Sequence, residues 1–113
     1  MKEIFLHHIW KYNLFLKQDL KTFHGDFLEI IKVGKINHHA GPDFLEAEIV
    51  IGNQLWVGSV EMHINSSDWN HHQHSEDLAY QNIILHVVWN HDCEIQNLRQ
   101  RNVQTLILQD FVK

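Results

Sequence analysis

The sequence predicts one α/β domain built on a mixed sheet, and three observations carry that expectation. At 113 residues the chain is long enough for one hydrophobic core and too short for two. Apolar residues make up 44% and charged residues 20%, the proportions of a folded chain rather than a disordered one. Along the chain, helical spacing gives way to strand alternation in the order α-β-β-β-α-β, with a further strand at the C-terminal end.

Residues 3–17 open as a helix, in which Phe5, Ile9, Tyr12 and Leu16 fall on one stripe and are expected to face the core. Gly25 and Asp26 end that register, and Phe27 to Val33 reads as a first strand. Gly34 to Asp43 holds two of the five glycines and the single proline, so it reads as a loop. Phe44 to Ile51 alternates, placing Leu45, Ala47, Ile49 and Ile51 on a buried face. The Gly52-Asn53 turn then folds Leu55 to Ile64 back as the other arm of a hairpin. On that third strand Val60, Met62 and Ile64 point one way, while Ser59, Glu61 and His63 point the other. Ser66 to His74 is polar and irregular, and Ser75 with Glu76 and Asp77 behind it predicts the N-cap of a short helix reaching about Gln81. Ile83 to Trp89 is apolar apart from His86, as a central strand covered on both faces would be. Cys93 to Asn102 is polar, and Val103 to Val112 closes the chain with strand-like residues.

Several function classes are excluded by composition. The longest apolar runs, such as Ile83 to Leu85 and Val87 to Trp89, are far shorter than the roughly 20 residues of a membrane span. Lys2, Glu3, His7 and His8 interrupt anything resembling a signal peptide, so a cytoplasmic protein is expected. Cys93 is the only cysteine; an intrachain disulfide is impossible, and a metal site has to be built from histidine and carboxylate. A net charge of −5 argues against a surface that grips nucleic acid all over, so any such contact is local. The 11 histidines point toward metal chemistry.

Asp43 opens the second strand, and Glu61 and His63 share a face of the third; counted from the Gly52-Asn53 turn, Asp43 and Glu61 fall opposite each other within one position. Two carboxylates converging from neighbouring strands can hold Mg²⁺ or Mn²⁺ with waters left on the ion, one of which attacks a phosphodiester. An imidazole two places after the acid lies on the same face, where it can accept a proton from that water or act as a third ligand. This layout resembles the PD-(D/E)xK restriction-endonuclease-like superfamily, with Pro42-Asp43 at the start of the second strand and Glu61-Met62-His63 on the third, His63 standing where the superfamily has lysine. The resemblance implies a restriction-endonuclease-like mixed sheet and a divalent-metal-dependent phosphodiesterase acting on DNA or RNA. Asp43 and Glu61 would be the metal ligands, His63 the base or third ligand, and Glu29 or Glu48 an outer acid. Lys32 and Lys35 are candidates for a displaced catalytic lysine, and Zn²⁺ fits less well than Mg²⁺ or Mn²⁺.

The stretches AGPDF (40–44), VEMHI (60–64), SSDW (66–69), HQH (72–74) and ILHVVW (84–89) are also similar to an uncharacterised bacterial family of unknown function, over essentially the whole chain. Members of that family are usually longer, which implies that residues 1–113 form a single domain at the N-terminal end of a larger architecture. Two rival readings stand beside the nuclease-like one. In the first, the missing lysine and the −5 charge mark a catalytically silent binding or scaffolding domain. In the second, Asp68, His71, His72 and His74 form an alternative metal site that stabilises an interaction module with zinc. His86 reads as a core histidine that can reach His63 if their strands are neighbours. The four tryptophans are divided between core packing and stacking on bases.

Overall fold

A computed structural model describes residues 1–71 and 77–112. Ser75 and Glu76 of the expected helix start lie outside the described residues, as do His72 and His74 of the alternative metal set. The elements run α1 (Glu3–Lys11), β1 (Leu28–Lys32), β2 (Lys35–Ile36), β3 (Phe44–Ile51), β4 (Gln54–Asn65), α2 (Asp68–His71), a 3-10 turn (Leu78–Tyr80), β5 (Ile83–Asn90), α3 (Gln96–Gln100), β6 (Gln104–Ile107) and a last 3-10 turn (Leu108–Phe111). The domain is thus mixed α/β, with more strand than helix. Three short elements were not expected: β2 inside the Gly34 to Asp43 loop, α2 inside the polar segment that begins at Ser66, and α3 inside the polar segment after Cys93.

The sheet is mixed, in the order β1-β3-β4-β5-β6, with β2 pairing β3 beside β1. The pairs β1-β3 and β3-β4 are antiparallel, whereas β4-β5 and β5-β6 are parallel. β1 and β2 act as one edge strand broken at Gly34, whose φ is +95° and where an added Cβ would meet the carbonyl oxygen of Leu45 at 2.8 Å. β4 is the longest strand; it pairs with β3 only as far as Val60, and continues along β5 to Asn65. Beyond Val60 its edge toward β3 is therefore open.

β3 departs from simple alternation. Its register against β4 shifts between Phe44 and Ala47, and Glu46 has φ +59°, so an extra residue is bulged out there. Phe44 consequently joins Ala47, Ile49 and Ile51 in the core, and Leu45, expected to be buried, is exposed.

The helix α1 also differs from its predicted register. It stops at Lys11, Asn13 adopts a left-handed φ of +56°, and the buried residues are Leu6 and Trp10. Phe5, Tyr12 and Leu16, three of the four expected core residues, are exposed. Trp10 decides the orientation: its indole stacks on Phe15 at 5.6 Å, and its N–H donates to the Val33 carbonyl at 3.0 Å. No single-stripe count weighs that anchor.

One core lies under α1, where Leu6 and Trp10 meet Phe44, Val60, Met62, Leu85 and Val87. A smaller one gathers Trp69, Tyr80, Ile83, Ile95, Leu98 and Val103 around α2, the 3-10 turn and α3. β5 is buried from Ile83 to Val88, as its apolar run predicted. Among the described residues no helix is long and apolar enough to cross a membrane.

Candidate functional site

The site occupies the notch where β3 stops and β4 continues. Past Val60 the backbone N–H groups of β4 lack a strand partner on that side, and the chain supplies Asp43 instead: the Met62 N–H donates to Asp43 Oδ2 at 2.8 Å. The Asp43 N–H in turn donates to Glu61 Oε1 at 3.3 Å, and the two carboxyl groups hydrogen-bond each other. Asn37 holds the approach to Asp43, since its N–H donates to the Asp43 carbonyl at 2.8 Å and its side chain donates to the Pro42 carbonyl at 2.9 Å.

Two further groups border the carboxyl pair. From α1, His7 Nε2 lies 3.3 Å from Asp43 Oδ1, within ion-pair range though not aligned as a hydrogen bond, and 4.0 Å from Glu3 Oε1. Glu3, His7 and Asp43 each present a ligand atom, and all three atoms lie within 4.8 Å of one another. On the inner side His63 Nε2 lies 3.4 Å from Glu61 Oε2, and His63 Nδ1 meets His86 Nε2 at 2.8 Å. The groups form a line from surface to interior. Glu3 and His7 are half-buried, as is Asp43, whereas Glu61, His63 and His86 are 4%, 2% and 0% exposed.

Protonation follows from this placement. Burial pushes the Glu61 carboxyl up to about 10, helped by the negative charge of Asp43, so Glu61 is neutral at pH 7. Burial acts on Asp43 in the same sense, but contacts from His7, Glu61 and the Met62 N–H outweigh it and hold that carboxyl below its ordinary value. Contact with Asp43 raises the pKa of His7 against the opposing effect of burial, with the charges of Asp43 and Glu3 assisting. One carboxylate, one carboxylic acid and one imidazole inclined to be protonated therefore share the notch. The Tyr80 phenol is raised as well, chiefly by burial and then by the charges of Glu61 and Asp43.

Residues 3–113 match the family described as a protein of unknown function, DUF2851. The chain belongs to that family. No curated protein and no solved structure matches it.

In this DUF2851 domain Asp43, Glu61 and His63 come together, and His86 joins them because Glu61 and His86 are register partners on β4 and β5. Lys32 and Lys35 are held elsewhere, by Glu48 at 3.1 Å and Glu46 at 3.3 Å. Glu48 is thereby occupied, and Glu29 is exposed on β1. His71 is exposed, 3.5 Å from Asp68, whose other oxygen accepts the Asn65 N–H at 3.1 Å. Trp10 and Trp69 are wholly buried, Trp89 packs on the larger core, and Trp56 is 38% exposed. The residues missed by reading the sequence are Glu3 and His7. Their spacing, i and i+4 on a helix, marks a shared face, but nothing local shows that this face meets Asp43.

Two surface hollows of about 600 and 510 Å³ lie away from the notch, one lined by Lys32, Lys35, Glu46 and Glu48, the other by His24, Trp56, Arg99 and Gln104. Their charged groups are already paired, including His24 and Arg99 with Glu94 at 3.0 and 3.3 Å. The notch, not the larger hollows, concentrates the perturbed titratable groups.

Proposed function

We propose that this DUF2851 domain holds a divalent cation, Mg²⁺ or Mn²⁺, between Asp43 and Glu61 and hydrolyses phosphodiesters of nucleic acid. The observation that carries the reading is the carboxyl pair itself. Asp43 and Glu61 meet so closely that burial and mutual repulsion keep one of them protonated, and a divalent cation would relieve the same repulsion by displacing that proton. Asp43 and Glu61 are the hard-oxygen ligands, His7 adds a nitrogen donor from α1, and Glu3 stands behind it as an outer acid. The presence of imidazole beside carboxylate suits Mn²⁺ at least as well as Mg²⁺. When bound, the ion supplies Lewis-acid polarisation of a phosphoryl oxygen and an acidified water. His63 orients that water or takes its proton, the task that the resembling superfamily gives to lysine. The antiparallel β1-β3-β4 meander followed by parallel β5 also supports the restriction-endonuclease-like reading. Within the same proposal residues 1–113 are the N-terminal portion of a larger architecture, so activity is assayed on the longer protein as well.

A specific observation favours the rival reading of a silent binding or scaffolding domain: Glu61 and His63 are almost fully buried. Calorimetric titration with Mn²⁺ in buffers of different ionisation heat separates the two. The expected result is binding that releases more than one proton per ion at pH 7, one from Glu61 and a fraction from His7, and is lost in Asp43→Asn and Glu61→Gln. Cleavage of single- or double-stranded nucleic acid should then fall about 10²- to 10⁴-fold in His63→Ala. Unchanged binding in both carboxyl variants would overturn the metal assignment, and binding without cleavage in the longer protein would leave the silent domain.

A further inference from the structure

Of the four tryptophans, Trp56 is the one that shows its ring to solvent: it is 38% exposed, whereas Trp10 and Trp69 are wholly buried and Trp89 packs on the larger core. Its setting follows from strand lengths. β4 begins at Gln54, but β5 joins it only at Ser59, which pairs with Ile83 and whose N–H donates to the Asn82 carbonyl at 2.8 Å. An added Cβ on Gly58 would meet that same carbonyl at 2.6 Å, so β5 enters hard against β4 at this point. Before it, among the described residues, β4 has no strand on that side. The hollow of about 510 Å³ lies there: β4 contributes Gln54 and Trp56, and the segment from α3 into β6 contributes Arg99, Asn102 and Gln104. A recess of about 50 Å³ continues it to Arg101.

The lining combines three chemistries. Trp56 offers an indole face, and Gln54, Asn102 and Gln104 bring carboxamides that both donate and accept. Gln104 is fixed in place, since the Thr22 hydroxyl donates to its Oε1 at 2.5 Å and its Nε2 donates to Asp26 Oδ2 at 2.6 Å. The third chemistry is cationic, because both arginines of the chain stand at this end. Arg101 is held by neutral acceptors, the Tyr80 carbonyl at 2.5 Å and the Asn97 carboxamide at 3.5 Å, which leave its charge uncancelled. Arg99 meets Glu94 at 3.3 Å, but its side chain is 74% exposed, and a surface contact of that kind is worth little against a ligand. Among the described residues no carboxylate lines the hollow or the recess.

An indole face stacks a flat ring, carboxamides meet the polar edge of that ring, and a guanidinium takes a phosphate. A neutral sugar would use the indole but not the two arginines, which are set together in a chain of net charge −5. We propose that this hollow binds a nucleotide, with the base on Trp56, its polar edge at the carboxamides and its phosphate toward Arg99. The site is separate from the Asp43–Glu61 notch. It gives the nucleic-acid reading above a second point of attachment and requires no metal.

Titration of the full chain with a chelator present tests the hollow apart from the notch. The probes are octathymidylate, thymidine 5′-monophosphate and maltose, read by tryptophan fluorescence and by the indole N–H signal of Trp56. Octathymidylate should quench the fluorescence and move that signal. Trp56→Leu should weaken its binding about 5- to 150-fold, and Trp56→Phe, which keeps a ring, much less. Arg99→Gln should lower the slope of log affinity against log salt by about 0.7. An octamer bound about tenfold tighter than the monophosphate, or more, assigns the hollow to a strand, and a smaller difference assigns it to a free nucleotide; either sustains the proposal. It is overturned if neither thymidylate moves the Trp56 signal, if maltose moves it and the thymidylates do not, or if a folded Trp56→Leu binds the octamer as the unmutated protein does. The indole signal decides even if Trp56→Leu fails to fold. It also separates the two sites: a protein that takes thymidylate at Trp56 but binds no Mn²⁺ defeats the metal assignment alone, and one that binds Mn²⁺ with the Trp56 signal unmoved defeats the hollow alone.

Discussion

Glu61 is an acid that the fold keeps uncharged. In the metal-free protein its carboxyl is pushed up to about 10 from an ordinary 4.5, mainly by burial. A folded-state pKa above the unfolded one means a contribution to stability that is complete below about 4.5 and is lost as pH rises toward 10. Glu61→Gln keeps the shape of the neutral acid and cannot ionise. The two proteins should therefore be similarly stable near pH 4, and the variant should gain progressively between pH 5 and pH 9. Urea denaturation at several pH values in the presence of a chelator measures this, and parallel curves would mean that Glu61 is ionised in the fold. His7 and Asp43 respond differently. The raised His7 loses its contribution as pH climbs above 6.5, and the lowered Asp43 loses its own as pH falls below 3.8, so their contact helps most between those values.

At the scale of the element, the bulge in β3 decides what the notch contains. Ile51 pairs with Gln54 and Ala47 with Gly58, but Phe44 pairs with Val60. Continuing the first register without the bulge would set Phe44 opposite Glu61 and put a phenyl ring where Asp43 now reaches. The bulged Glu46 is left-handed, at φ +59°, a conformation that costs a non-glycine residue roughly 1–2 kcal/mol. Its ion pair with Lys35 is exposed and offsets little of that. Glu46→Gly should thus be neutral or more stable by up to about 1 kcal/mol, with Mn²⁺ binding intact. Deleting Glu46 removes the extra residue and leaves Phe44 opposite Val60, two positions from Ala47 and on its core face, so the deletion variant should fold and keep Mn²⁺ binding. Denaturation midpoints and Mn²⁺ titration read both variants, and a folded deletion variant that no longer binds Mn²⁺ would disprove the register argument.

Across the whole molecule, β4 and β5 are the centre on which everything else is hung. Helix α1 covers one face of the sheet, while α2, the 3-10 turn and α3 cover the other. β1 is an edge strand with Glu29, Ile31 and Lys32 exposed. Hydrogen exchange should accordingly show the amides from Val60 to His63 and from Leu85 to Val88 opening only with global unfolding, and those of β1 opening locally at lower free energy. The amide of Met62 is the informative one, because it faces the open edge and is held by Asp43. Its protection should drop in Asp43→Ala while that of Val87 is kept. Equal loss at both positions would mean that Asp43 supports the fold at large.

Much of this was legible in the residues. Alternation put Glu61 and His63 on one face, Gly52-Asn53 announced the hairpin, and the apolar run around His86 announced a central strand. These are consequences of period-two geometry and turn chemistry, which act within a few residues and leave their mark in local order. The register of α1 was misread because Leu6 and Trp10 are chosen by what they dock onto, and the Val33 carbonyl that anchors Trp10 lies 23 positions away. The β3 bulge was invisible for a similar reason: plain alternation in Phe44 to Ile51 puts Leu45 inward with Ala47, Ile49 and Ile51, and only the fit of Phe44 beneath α1 favours the bulged register. Local periodicity thus determined which side chains share a strand face. Packing between distant segments decided which helix stands over the open edge of β4, and so brought Glu3 and His7 to Asp43 and His86 to His63.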